Sequence, residues 1–206
     1  MDKKELRRRL LKKAKQQIDE NLSGKEVHII RAIRLLDDLE EVNNLMKENL
    51  DEWKKRSPDE IAKKMITTLE ENQTAIENEK KDLMSFLEKE MNEELPSFTL
   101  IAGSIIGARL LAEAGSKRRL AFVPSSTMQL LGAEKALFNH LKKKGKSPKH
   151  GHIFNHPLLQ KLPKVKRGKA ARILAGKLSL AAKIDYFGKG INKDLLKEVE
   201  ERINKL

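Results

Sequence analysis

Cysteine is absent from the 206 residues. That excludes a disulfide framework, a thiolate zinc site and a cysteine nucleophile, and it fits a reducing compartment. Aromatic residues are scarce at 4%, with one tryptophan and one tyrosine. Long hydrophobic runs are missing as well: the longest, Leu100 to Ala108, contains Gly103 and Gly107 and ends at Arg109. A membrane helix needs roughly 20 apolar residues, so no membrane is expected among the partners. Residues 1–15 carry eight Lys/Arg and no apolar stretch of signal-peptide length, so secretion is not expected either.

Acidic residues are scarce in one half only. Residues 1–95 hold 20 Lys/Arg and 23 Asp/Glu, whereas residues 96–206 hold 23 and 7. Between Ala114 and Lys183 there are 17 basic residues and a single acid, Glu134. A solvated helical face mixes signs, as the first half does. A seventy-residue segment almost free of acids sets up a positive field that attracts phosphate polyanions. A merely soluble basic domain is the plainer alternative. An anionic membrane surface would require a basic helix backed by a strongly apolar, aromatic face, and no segment has that pattern.

The marks of catalysis are missing too. The chain has no glycine-rich phosphate loop with Lys-Ser/Thr, no paired carboxylates in its basic half and no elbow serine, so neither an enzyme nor a cofactor is expected. Ser125, Ser126 and Thr127 read as helix caps. His140, His150, His152 and His156 cluster within 17 residues, yet no cysteine accompanies them and neighbouring lysines repel a cation. No metal site is expected.

What is present is helical periodicity. Leu6, Leu10, Ala14, Ile18 and Leu22 share one face of a basic helix over residues 2–22. His28, Ala32, Leu35, Leu39, Val42, Met46, Asn49 and Trp53 follow at alternating spacings of four and three, the 3.5-residue period of a coiled-coil seam. Ser57-Pro58-Asp59-Glu60 marks a stop and a restart, and a weaker seam from Met65 through Leu69, Ile76 and Leu83 to Leu87 runs on to about Glu94. Two such helices make an antiparallel hairpin with arms of roughly 50 Å. The seam faces either a partner, most simply a second copy, or the rest of the same chain. Leu35, Leu39, Val42, Met46 and Trp53 are the candidate dimerisation residues. From Pro96 onward short helical segments alternate with basic loops, and no period-2 alternation survives. The fold class is all-α, with a helical self-association region at 1–95 and a compact helical domain at 96–206.

The second half carries a family resemblance. Gly132-Ala133-Glu134-Lys135-Ala136-Leu137-Phe138, then Pro148-Lys149-His150-Gly151-His152-Ile153-Phe154, then Gly168-Lys169-Ala170-Ala171-Arg172, Lys177 and Ala181-Ala182-Lys183-Ile184-Asp185 resemble the Nop domain in order and spacing. Ala114-Gly115-Ser116 and Pro124-Ser125-Ser126-Thr127 fit upstream, and the seam before Trp53 is similar to the family's coiled coil. The resemblance implies an all-helical core protein of box C/D-type small ribonucleoproteins, related to a spliceosomal factor. Such a protein binds kink-turn RNA together with a small kink-turn-binding protein and associates through its coiled coil, either with itself or with a full-length relative. It implies a cytoplasmic protein in an archaeal-type cell, and a nuclear or nucleolar one in a eukaryote. The chain departs from the family in two ways. The sequence begins almost at the coiled coil, so the domain that recruits fibrillarin is expected to be missing, and Trp53 is followed by Lys54-Lys55-Arg56-Ser57-Pro58 in place of the family's aromatic-His-Phe-Pro-Glu-Leu segment. Direct recruitment of fibrillarin, the methyltransferase, is therefore not expected.

The residue chemistry points to RNA on its own account. A helix starting near Gly132 offers free N–H groups and a positive dipole end to a phosphate, and Lys135 lies one turn in. Glu134 either accepts from a base edge or partner, or is a first-turn acid held by the helix dipole. Asn139, Lys142, Lys143, Lys146 and Lys149 follow, the lysines as mobile point charges that supply affinity and salt dependence. His150 and His152 suit stacking on an unpaired base. Arg167, Lys169, Arg172 and Lys183 are read as one phosphate-facing stripe, or else as a solvated helix face. The competing class is a coiled-coil interaction scaffold whose basic half holds nucleic acid non-specifically.

Overall fold

The computed structural model describes residues 3–22, 24–56, 59–143, 145–188, 190–192 and 194–206, the side chains of 16–22 excepted. Helices α1 (Lys3–Leu22), α2 (Lys25–Lys54) and α3 (Glu60–Glu94) come first. They are followed by α4 (Pro96–Ala102), α5 (Ser104–Ala114), α6 (Lys117–Phe122), α7 (Ser125–Leu130) and α8 (Glu134–Leu141). A 3₁₀ turn (His152–Asn155), α9 (Pro157–Gln160), α10 (Lys164–Tyr186) and α11 (Asp194–Asn204) complete the order, with no strand among the described residues. The all-α expectation holds.

Local chemistry sets the boundaries. The Asp59 carboxylate accepts the Ala62 N–H at 2.8 Å and caps α3. Ser57 and Pro58, the other half of the expected restart, lie outside the described residues, as do the side chains of Ile18 and Leu22 on α1. Leu6 and Leu10 of α1 are exposed. Gly103 and Gly115, at φ of 76° and 82°, end α4 and α5 in a region that favours glycine. Gly107 meets α3: a Cβ there would come within 2.8 Å of Met91 Cε. No single helix among the described residues is long and apolar enough to cross a membrane. The α4–α5 pair has the length but is bent by 116° at Gly103.

The hairpin of α2 and α3 packs its base on α5, and α10 gathers α4, α6, α7, α9 and α11 around itself. Ala170, Ala171, Ala175, Ala181 and Ala182 on α10 are buried, and such small side chains let neighbouring helices approach closely. One hydrophobic core runs from Ile29, Ile33 and Leu36 of α2 and Leu87 and Met91 of α3 through Leu110, Leu120, Met128, Leu174 and Leu178 to Val199 of α11. It crosses residue 95 without a break. Polar ties join the same parts. Arg109 on α5 donates to Asp37 at 2.6 and 3.0 Å, and Glu26 of α2 accepts the Lys117 N–H that opens α6 at 2.6 Å. Asp185 accepts the N–H groups of Ser97 and Phe98 at 3.0 and 2.8 Å, capping α4 from the end of α10.

The face that α2 turns to its own chain is not the one marked by its 3.5-residue spacing. Ile29, Ile33, Leu36, Asn43 and Leu50 are buried, whereas Leu35, Val42 and Trp53 are exposed and Leu39 and Met46 half-buried. Apart from Asn43, which donates to Glu77 of α3, both lines are apolar, and contact with α5 selects the first. The second is left lining shallow grooves between α2 and α3. Leu35 and Leu39 lie opposite Leu83 and Phe86 in one, and Met46, Asn49 and Trp53 face Leu69 in the other.

Candidate nucleic-acid interface

The helix expected to start near Gly132 is present, and the turn ahead of it has a physical cause. Gly132 sits at φ 84°, and a Cβ would come within 2.3 Å of the His152 ring. The chain turns there between α7 and α8, and the Gly132 N–H donates to Glu134 Oε1 at 2.9 Å. Glu134 therefore serves as a first-turn acid folded back on the turn that precedes it. The helix begins two residues later than Gly132, with Ala133 as its cap residue.

The loop ahead of the 3₁₀ turn is fastened across this junction. Gly151 N–H donates to Gln129 O at 2.9 Å and His152 N–H to Leu131 O at 2.8 Å. Gln129 Nε2 donates to Lys149 O at 2.6 Å. A Cβ on Gly151 would lie 1.8 Å from Leu131 O, so this crossing requires glycine. The loop holds Lys149 and His150 beside the first turns of α10, where Lys149 Cδ would stand 3.8 Å from a Cβ added at Gly168. His150 stacks on Phe154 with ring centroids 4.5 Å apart and 17° between planes. Burial, with Arg167 and Lys149 nearby, holds its pKa below the usual histidine value.

Two expectations are corrected. His152 is not a free stacking platform: its ring covers Gly132, and its Nε2 lies 3.1 Å from Glu113 Oε1. Arg167 does not share a side with Lys169, Arg172 and Lys183. Two positions apart on a helix are about 200° apart, and Arg167 turns inward. Its Nε and Nη2 donate to Leu162 O at 2.8 Å and Gln160 O at 3.2 Å. Its guanidinium carbon also stands 5.4 Å from the Phe154 centroid. Lys169, Arg172 and Lys183 are exposed along the outer face of α10.

Helix α8 has no buried residue. Lys135 and Asn139 are exposed on it, Lys142 follows at its C-cap, and Lys143 (φ 58°) and Lys146 lie in the exposed loop beyond. Phe138 and Leu141 are 60% and 66% exposed on the same helix. A shallow pocket behind it is lined by Ser126, Thr127, Leu130, Leu131, Glu134 and Leu137. The other histidines have separate partners: His140 Nδ1 lies 3.0 Å from Gly145 O, and the buried His156 makes a 2.8 Å bond through Nε2 to Ile101 O. Gln129, Phe154 and Glu113 are positioning residues that sequence reasoning missed. The signal for Phe154 is its place in the Pro148–Phe154 motif, which does not show its contact with His150.

The described residues thus form an all-helical domain with a cationic, acid-poor surface built around a glycine-locked turn, a class of surface that suits a polyanion. Comparison with known families narrows it. The family described as Nop, snoRNA binding domain, fibrillarin, matches residues 9–205, and the chain belongs to that family. An uncharacterized NOP5 family protein of Methanocaldococcus jannaschii is 50% identical over 127 residues, which is 62% of this chain and 31% of that protein. Nucleolar protein 56 of Schizosaccharomyces pombe is 38% identical over 149 residues, covering 70% of this chain and 30% of its own length. The chain thus spans about a third of the length of the curated relatives it matches. A crystal structure of a fibrillarin/Nop5p complex is similar at a TM-score of 0.72 and 31% identity, covering 98% of this chain and 78% of that one. The family is one of box C/D-like, RNA-binding ribonucleoprotein components.

Proposed function

We propose that this chain is a core component of a box C/D-type ribonucleoprotein that recognises a kink-turn RNA together with the small protein already bound to it. The observation that carries the reading is α8. It presents Phe138 and Leu141 beside Lys135, Asn139 and Lys142, with none of its residues buried. Apolar side chains beside cations on one unpacked helix suit a surface that is part protein and part phosphate. Lys149 and His150 supply the neighbouring RNA contact. Phe154 backs the His150 ring, so a base meets a platform that is already ordered. Gly132 holds the turn, and Lys142, Lys143 and Lys146 add charge. The line of exposed Leu35, Val42 and Trp53 and half-buried Leu39 and Met46 supports pairing of two hairpins, from two copies or from one copy and a longer relative. In this reading residues 1–95 supply self-association and 96–206 the RNA site, in the cytoplasm of an archaeal-type cell. Fibrillarin stands in the similar crystal structure as the partner of that protein and is no part of what we propose.

The test is a gel shift at moderate salt with a kink-turn RNA, the same RNA carrying its kink-turn protein, and a straight duplex of equal length. A supershift confined to the protein-bound kink-turn is expected. Equal binding to all three would leave only counterion release and favour the scaffold reading. Glu134→Gln with Lys135→Ala keeps an acceptor for Gly132 and removes both charges. It should weaken the ternary complex about tenfold or more, some 1.4 kcal/mol, and free-RNA binding much less. Equal losses in the two would refute the composite surface.

A further inference from the structure

Every residue of α1 from Lys3 to Lys15 is exposed. Most of the stability of a helix in water comes from packing an amphipathic face, and α1 has such a face unused. Leu6, Leu10 and Ala14 lie along one line, with Leu6 and Leu10 43% and 60% exposed. Arg7 and Lys13 stand about 60° to either side of that line, by the turn of an α-helix. Residues 3–15 hold eight Lys/Arg and one acid, Glu5, which pairs with Arg9 at 3.5 Å. The helix is a cationic rod with an apolar edge.

The hairpin offers the opposite character. Helices α2 and α3 carry 18 Asp/Glu against 10 Lys/Arg. Of the two grooves between them, the one nearer the base is lined by Leu35, Leu39, Leu83 and Phe86 together with two carboxylates, Glu79 and Asp82. Neighbouring acids are engaged: Glu77 pairs with Lys80 at 3.5 Å, and Asp37 and Glu40 with Arg109 at 2.6 and 3.5 Å. Glu79 and Asp82 are exposed and enter no ion pair among the described residues. The groove therefore combines an apolar floor with two carboxylates that still lack a cation.

We propose that α1 of a second copy lies in this groove, with its Leu6–Leu10–Ala14 line on the apolar floor and Arg7 and Lys13 toward Glu79 and Asp82. Both features sit on one chain, so a two-fold pair exchanges its first helices reciprocally and leaves neither helix nor groove uncovered. The chain's own α1 is not the occupant, since its apolar line stays in water within a single copy. An RNA would take up the cations and leave the leucines exposed, and a membrane surface would find no aromatic residue on α1. The inference rests on the self-association reading above and deepens it. The first helix covers the inner end of the hairpin line, at Leu35 and Leu39, and leaves Met46 and Trp53 to the facing hairpin.

Two variants of the full chain test the exchange by sedimentation equilibrium at moderate salt. In one, Arg7→Glu with Lys13→Glu makes the flanks of α1 acidic. In the other, Glu79→Lys with Asp82→Lys makes the groove basic. Either change sets like charges together in a pair of identical copies, so each variant alone should associate about tenfold or more weakly than the parent. In an equimolar mixture the α1 of either copy meets a groove of opposite charge, and association should return toward the parental value. Leu6→Gln with Leu10→Gln keeps good helix formers and removes the apolar edge, and it should weaken pairing as well. All six positions are exposed, so melting temperature and helix content of the variants should match the parent. Variants that pair like the parent overturn the proposal. So does a mixture no stronger than its components, the result expected if α1 folds onto its own groove. A dimer indifferent to the α1 changes but dissolved by Trp53→Glu leaves hairpin pairing standing and overturns the exchange alone, whereas a monomeric parent overturns both.

Discussion

Gly132 and His156 show how single residues set the interface. Gly132→Ala would place a non-glycine residue at φ 84° and drive a methyl into His152. The cost should be about 1–3 kcal/mol, read as a lowered Tm, with the Lys149–His152 loop loosened as well. His156 is buried, donates through Nε2 to Ile101 O and accepts the Leu158 N–H through Nδ1 at 3.3 Å. Burial lowers its pKa, only partly offset by the bond to Ile101. The unfolded chain therefore takes up a proton at a higher pH than the folded one. His156 and, by the same sign, His150 contribute stability that is complete above about pH 6.5 and lost as pH falls through their folded values. Melting temperature against pH should show that decline, and His156→Gln should flatten it. A slope unchanged by the substitution would show that His156 is not its source.

At the scale of elements, helices announce themselves and their partners do not. The hairpin and its arms were legible because four-and-three spacing persists over many turns, and the break at Gly132 because glycine interrupts it. Which side of α2 would be buried was not, since Ile29, Ile33 and Leu36 form an apolar line as good as Leu35, Leu39 and Val42, and only α5 distinguishes them. Arg167 was misplaced because sequence shows a charge and not the carbonyls of Leu162 and Gln160 that take it up. The Glu134 bond to Gly132 and the His150–Phe154 stack likewise need folded loops. Self-association belongs to this scale. Leu39→Glu with Trp53→Glu puts charge on the exposed line and should convert a dimer to a monomer by sedimentation, with helix content kept. A dimer that survives would locate pairing elsewhere. Asn43 is buried with Oδ1 unpartnered while its Nδ2 donates to Glu77. Asn43→Leu should raise stability by about 1 kcal/mol in denaturant titration, because a buried polar group short of partners is replaced by an apolar one.

For the whole molecule, the continuous core decides what can be separated. Residues 96–206 alone would expose the faces that meet Ile29, Ile33, Leu36, Leu87 and Met91, each at 1% exposure or less in the intact chain. Each such contact is worth about 2–5 kcal/mol when cut back to alanine. The base of the hairpin and the domain should therefore unfold in one transition, and Leu87→Ala on α3 should lower the midpoint seen by a probe on α10. Two separate transitions would contradict that coupling. Leu95, fully buried, is the sole residue between α3 and α4, Lys25 ties the start of α2 to Glu93 at 2.7 Å, and Arg109 clamps α2 further along at Asp37. In mechanical terms the hairpin is a cantilever with its root set in masonry. It has no swivel at the wall, so any bending must gather toward the free end, where the two arms hold only each other. A load applied at Trp53 is then felt as torque at the root, where α2 and α3 meet α5.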